Sequence, residues 1–444
     1  MPHLSDYTLH SALGIGVAAM VVVFGLLLLT RRCERLNPGL ALVTPVAVGL
    51  AARFATVIGI DGTGLSTRLR GGDELTFMQN SRGLASLPFT DGHWITALTH
   101  ELHTAVFGFQ IKLADLSPAA LRMTQIGISL LGLLLLLVAV HEMAGPRAAR
   151  LAAWVLMLEP AGIFFDSSLH KEPLMLLASG LTVYGATKIW RHLDFRGLAI
   201  AAAGCAVALT TRSYAGWFLV CACVALGVHG AIRRMDRPMR ALPLLYAVVL
   251  VGFLLAPALL AQSSPQKLKR LQVSQDYNAA GSFNPDAPGD VPAPSNGNNL
   301  ALERVDFSTR SKIITNLPKR IRDVVLRPYP WQVANTSQAL GALGSVVALA
   351  GLALLLRYAW RMRGRMFLVA APLIYPTIFL LVAYSVSAGN AGTSFRYRTH
   401  VVTLALAMLI VFRTHVLSES RHTAVADPRL APAAAGAGRP QPVT

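Results

Sequence analysis

Residues Leu9 to Thr30 read LHSALGIGVAAMVVVFGLLLLT, without a single Asp, Glu, Lys or Arg. A helix rises about 1.5 Å per residue, so roughly 20 apolar residues cross the hydrocarbon core of a bilayer. The run ends at Arg31, Arg32 and Arg35. Its positive charge follows the apolar stretch, and no small-residue cleavage site is evident, so it reads as a span with its N-terminus outside, not as a signal peptide. Similar runs recur at 40–60, 119–141, 151–166, 173–190, 197–211, 215–231, 241–261, 338–356, 366–385 and 399–415. The sequence therefore predicts an all-α polytopic membrane protein with about 11 transmembrane helices.

Composition agrees. The 444 residues are 54% hydrophobic and 14% charged, against about 25% charged in a soluble chain. The net charge of +18 does not mark a nucleic-acid binder, because the cations collect in short loops between apolar runs. With the N-terminus outside, the inner loops 31–36, 142–150, 191–196, 232–240 and 357–365 hold 15 Lys or Arg. The short outer connections 166–172, 212–214 and 385–398 hold 4. That asymmetry follows the positive-inside rule and puts the C-terminus in the cytoplasm. Arg53 falls inside the second run and must face protein or water, since a lipid-facing arginine costs about 2.5–3.5 kcal/mol at a helix centre. The four cysteines, Cys33, Cys205, Cys221 and Cys223, avoid the long loops, so no disulfide framework is expected.

Two long loops, 61–117 and 262–337, lie outside the cytoplasm on this reading. The first contains GGDELTFMQNSRG, residues 71–83, with the adjacent acids Asp73 and Glu74. Trp94, Leu98, Leu102 and Val106 recur at helical spacing and predict an amphipathic helix on the membrane surface. THELH, residues 99–103, with His93 nearby, lacks the spacing that enforces a metal shell, so no metal site is assigned there. The second loop holds helical stretches at 262–276 and 301–327 around a flexible segment, 277–300. Its exit, LPKRIRDVVLRPYPW, sets cations beside Tyr329 and Trp331, a composition suited to lipid headgroups. Residues 1–423 form one transmembrane domain, and the Ala-, Pro- and Gly-rich tail 424–444 is expected to be disordered and cytoplasmic.

Three outer turns bring further chemistry to the side that carries the acid pair. FFDSSLHKEPLMLL supplies Asp166, His170, Lys171 and Glu172; TRSY supplies Arg212 and Tyr214; GNAGTSFRYRTH supplies Arg396, Arg398 and His400. Arg396 and His400 lie four apart, on one helix face if the last span begins near Phe395. Cations opposite a carboxylate fit an anionic ligand that meets a catalytic base. A hydrated turn is the plain alternative for each motif taken alone.

GGDELTFMQNSRGLA, after an early span, resembles the acid-bearing first external loop of the GT-C superfamily of polytopic glycosyltransferases, and the whole order, that loop, then SSLHKEPLMLL, LRPYPW and GNAGTSFRYR, resembles uncharacterised bacterial membrane proteins placed near that group. That group includes protein O-mannosyltransferases and aminoarabinose transferases, and the resemblance covers most of residues 40–415. It implies a polyprenyl-phosphate-linked sugar donor used at the outer face of a bacterial plasma membrane, with a glycan, lipid or protein acceptor. Asp73 matches the loop acid that acts as general base. Glu74 would assist or bind a divalent metal, which only some members use. Arg396 or Arg398 would sit near the donor phosphate. With His170, Lys171, Glu172, Arg212, Tyr214 and His400, they complete the candidate substrate-binding set. The chain departs from the pattern in an extra N-terminal span and in lacking a large C-terminal soluble domain, which leaves the acceptor open. A polymerase of lipid-linked repeat units is a close variant. A lipid-linked glycan flippase or other transporter is the alternative from another class. Glu159 and Arg53 are the residues it would claim, since transporters keep ionisable groups near mid-membrane.

Overall fold

The computed structural model describes residues 9–62, 72–236, 242, 249, 264–280, 300, 302–333 and 336–426. Among them the chain is helical: α1 (Leu9–Leu36), α2 (Val43–Gly62), α3 (Gly72–Ser86), α4 (Gly92–His100), α5 (Leu102–Ala114), α6 (Pro118–Met157), α7 (Pro160–Asp166), α8 (Glu172–His192), α9 (Arg196–Thr211), α10 (Ser213–Ile232), α11 (Pro265–Ala280), α12 (Arg310–Leu326), α13 (Thr336–Arg361), α14 (Met366–Ser387) and α15 (Ala391–Ala426). Seven of these are long and apolar enough to cross a membrane. The protein is thus an all-helical, polytopic membrane protein. Leu13, Val21, Phe24 and Leu28 on α1, and Leu349 and Leu356 on α13, are exposed large hydrophobics. Such a surface is stable facing lipid and costly facing water.

The seven do not coincide with the eleven runs. Run 241–261 lies outside the described residues, apart from isolated positions. Run 197–211 is apolar but short, as Arg196–Thr211. Runs 119–141 and 151–166 become α6 and α7, and α6 breaks at Gly145, whose φ of 83° and ψ of 178° are not helical. That φ suits glycine and few other residues. Contacts with α2 show a reversal there. Arg122 pairs with Asp61 at one end of α2. Pro146 is the neighbour of Gly39, just before its other end, and Met157 is the neighbour of Gly49 in its first half. The chain therefore runs along α2 and turns back at Gly145. The returning leg stops at Met157, where Glu159 caps α7 by accepting from the N–H groups of Ala161 and Gly162.

Backbone approaches fix the centre. A Cβ on Gly180 of α8 would lie 2.2 Å from the carbonyl oxygen of Gly132 on α6, and one on Gly132 would lie 2.7 Å from the backbone of Leu176. Where lipid already solvates apolar side chains, such small-residue contacts are a main source of helix association. At one end of the bundle Glu34 Oε1 accepts from the N–H groups of Leu42 and Val43, at 2.5 and 2.9 Å, capping α2. Lys188 pairs with Glu142 at 2.6 Å, Arg191 donates to the Met143 carbonyl, and Arg365 pairs with Glu419. The cation-rich short loops thus gather at this end. The acid pair and the 166–172, 212–214 and 396 segments gather at the other.

The loop expectations need adjustment. Residues 72–114 hold three helices, and the amphipathic pattern from Trp94 to Val106 is interrupted at Glu101, whose φ of −140° and ψ of 54° end α4. Trp94 is buried while Leu98 is exposed, so the spacing crosses a break and does not define one face. In the second loop α12 starts at Arg310, not 301, because Thr309 caps it by accepting from Lys312 N–H. Phe307 precedes that helix in irregular chain, buried, its N–H donating to Gln272. Most of the segment expected to be flexible, 277–300, lies outside the described residues, as does the tail beyond Ala426. All four cysteines are free.

Candidate functional site

The acids Asp73 and Glu74 occupy the first turn of α3, where unpaired backbone N–H groups favour negative charge. Successive helical positions diverge by about 100°, and the two side chains part accordingly. Glu74 turns inward and is 8% exposed, while the Asp73 side chain remains 55% exposed. Arg122 donates to Glu74 Oε2 at 2.8 Å, and the Leu169 N–H donates to Oε1 at 2.6 Å. Arg122 also holds Asp61 at 3.1 Å. Glu74 therefore braces α3 against α2, α6 and the turn that follows α7.

Asp73 meets a different set. Arg396, in the first turns of α15, donates to Asp73 Oδ2 at 2.7 Å. Its Nε lies 3.9 Å from Glu172 Oε1. On the far side Arg212 donates to the same Oε1 at 2.5 Å. A continuous chain thus runs Asp73, Arg396, Glu172, Arg212, through helices α3, α15, α8 and the α9–α10 turn. The Arg212 guanidinium lies 4.4 Å from the Tyr397 ring centroid. Tyr214 and Tyr384 stand beside that ring, their centroids 6.2 and 5.0 Å away. His400 Nε2 donates to the Glu172 carbonyl at 3.0 Å, and its Nδ1 lies 3.3 Å from the Tyr384 hydroxyl. His400 thereby steadies the start of α8 and does not point at Asp73.

Lys171 precedes Glu172 and has no carboxylate in ion-pair contact among the described residues. Its ammonium lies 5.4 Å from the centroid of the Phe77 ring. Burial first, and then Arg212, push its pKa below the ordinary lysine value. One Arg212 nitrogen, Nη1, and one Glu172 oxygen, Oε2, are buried without a hydrogen-bond partner. A buried donor and a buried acceptor left unpaired in this way are groups that water or a polar ligand can satisfy. The arrangement can hold an anionic group on Lys171, Arg212 and Arg396 while Asp73 remains open to a second molecule.

Two further expected binders, His170 and Arg398, have contacts of their own within the bundle. His170 is buried, its Nδ1 2.7 Å from Ser168 Oγ. Burial, and then Arg396, lower its pKa, which disfavours the charged ring that would hold a phosphate. Arg398 donates to the backbone carbonyls of Val325, Arg327 and Gly341, at 2.9, 2.9 and 2.8 Å. It ties α15 to the end of α12 and to α13 as a buried strut. Reasoning from sequence passed over Arg122, although a charge inside run 119–141 was a usable signal. It also passed over Phe77, whose ring centroid lies 4.6 Å from that of His103 in the THELH stretch. Burial lowers the His103 pKa to about 3. Exposed His93 pairs with half-buried Asp91, and no group of three His, Cys, Asp or Glu side chains among the described residues forms a metal site. Comparison with known proteins adds no relative: no family model, curated protein or solved structure matches the chain.

Proposed function

We propose that this protein is a membrane glycosyltransferase of GT-C type. It transfers a sugar from a polyprenyl-phosphate-linked donor to a cell-envelope glycan, lipid or protein at the extracytoplasmic face. The observation that carries this reading is Asp73, an exposed carboxylate 2.7 Å from Arg396, at the open end of an ion-pair chain that continues through Glu172 to Arg212. Asp73 takes the proton of the acceptor hydroxyl as that oxygen attacks the anomeric carbon. The bond from that carbon to the phosphate oxygen breaks, and the phosphate leaves with its charge held by Lys171, Arg212 and Arg396. A divalent metal is not required by this scheme.

In this proposal the chain crosses the membrane eleven times, N-terminus outside and C-terminus inside. The Asp73 end then faces outward, where lipid-linked sugars replace nucleotide sugars as donors. The transporter alternative gains little from its residues. Arg53 is engaged by Asp166 and two backbone carbonyls, and Glu159 is a helix cap. Two measurements test the proposal. Cells lacking the protein are expected to accumulate a polyprenyl-phosphate-linked sugar in the membrane lipid extract; an unchanged extract rejects the donor class. With the native cysteines replaced, Asp290→Cys is expected to react with an impermeant maleimide on intact cells. Labelling only after permeabilisation reverses the orientation and removes the site from the outer face.

A further inference from the structure

A second feature lies at the opposite end of the bundle. Helices α8, α9 and α10 leave a groove between them with a cavity volume of about 290 Å³. Small residues open it: Ala186 on α8, Ala202 and Ala206 on α9, Gly227 and Gly230 on α10. Its walls are otherwise apolar, with Cys205 and Cys223 facing each other, Sγ to Sγ 3.9 Å. Buried Trp190 and half-buried Arg234 line its end near the C-termini of α8 and α10. Trp190 is near the C-terminus of α8, whose N-terminus carries Glu172, so by helical rise this end lies roughly 27 Å from that residue. The groove is therefore separate from the Asp73 site.

This end is cationic and pre-arranged. Arg234 is fixed by donating to the carbonyls of Gly230, at 3.0 Å, and Trp190, at 2.6 Å. The Arg233 guanidinium lies 5.2 Å from the Trp190 ring centroid, is exposed, and has no ion pair among the described residues. Arg196 is exposed beside Phe195 and Leu198, which also line the groove. Asp194 is the nearest acid in sequence on that side, and it is occupied in accepting the Arg196 N–H at 3.0 Å. Asp236 follows on the α10 side. An apolar slot that ends in a Trp and exposed arginines complements one molecule of the bilayer itself: an acyl chain carrying an anionic head. Basic pockets between helices, in the leaflet bearing anionic lipid, recognise that chemistry.

We propose that this groove binds an anionic glycerophospholipid, one acyl chain lying along Ala202, Ala206 and Gly227 and the phosphate on Arg233. The test uses the full chain in nanodiscs of dioleoylphosphatidylcholine, with or without dioleoylphosphatidylglycerol. Lipid retained after transfer to detergent is counted by native mass spectrometry. The wild type is expected to retain phosphatidylglycerol over phosphatidylcholine by about fivefold, the worth of one interfacial cation against an anionic lipid. Arg233→Gln is expected to lose that preference, and Ala206→Phe, at an exposed position in the groove, to lose the retained lipid altogether. Cys205 and Cys223 supply a readout that needs no variant: N-ethylmaleimide should modify them more slowly in phosphatidylglycerol discs. Equal retention of the two lipids by the wild type overturns the proposal. So does undiminished retention in Ala206→Phe, which would mark surface binding only, or thiol reactivity that ignores the lipid.

Discussion

Asp73→Asn is expected to cut transfer from a lipid-linked donor by about 10²–10⁴-fold, the usual worth of a general base, with protein level and melting temperature little changed. The two halves of that expectation rest on separate observations. Asparagine keeps the shape of the side chain but cannot take a proton from an acceptor hydroxyl. The Asp73 side chain is 55% exposed, so its ion pair with Arg396 contributes no more than roughly 1 kcal/mol to stability. The neighbouring acid should behave in the opposite way. Glu74 is buried and holds both Arg122 and the Leu169 N–H, so Glu74→Gln should lower the melting temperature, with activity falling only as folded protein is lost. The comparison uses turnover per folded molecule with a lipid-linked donor. Full turnover in Asp73→Asn would remove Asp73 from the mechanism. A fall in Glu74→Gln with unchanged melting would exchange the two roles.

Arg53→Met should destabilise the fold by about 3–5 kcal/mol, because it strands a buried carboxylate. Arg53 is fully buried. It donates to Asp166 Oδ2 at 2.9 Å from Nε, and to the carbonyls of Gly49 and Met157 from Nη1. The residue thus joins α2 to the end of α7 and to the returning leg of α6. Adding Asp166→Leu to Arg53→Met should recover much of the loss, since an apolar pair needs no desolvated charge. Thermal unfolding of the purified protein in detergent, for both single variants and the double, forms the cycle. A double variant no more stable than either single would show that the carbonyl contacts of Arg53, not its pairing with Asp166, carry the stability.

Local chemistry was legible in the sequence, and long-range pairing was not. Apolar runs announce α1, α2, α13, α14 and α15 because burial in lipid depends on composition alone. The interior placement of Arg53 followed from the cost of a lipid-facing charge, but its partner Asp166 lies 113 residues away, with nothing local to name it. The acid pair could be found, since Asp and Glu are scarce. Which of the two is exposed depends on the phase of α3, and that is set by Arg122 and Leu169. Arg212 and Arg396 were legible as cations breaking the charge asymmetry. Arg398 carried the same signal, yet its geometry is spent on three carbonyls. The eleven runs assumed that each span is a single uninterrupted helix, whereas Gly145 and Glu159–Pro160 divide one region into three pieces.

The contact between Asp73 and Arg396 joins positions 323 residues apart, and this has a consequence for the timing of synthesis. Ribosomes add about 5–20 residues per second, so Arg396 is made roughly 16–65 s after Asp73 at those rates. Glu172 and Arg212 arrive within that interval, and α6 can close on α8 through Gly132 and Gly180 well before it ends. A nascent chain therefore carries Asp73 without its arginine while much of the bundle is already available to assemble. The Asp73–Arg396 contact is among the last parts to be completed, so chains stalled before α15 would have an inserted scaffold and no such pair.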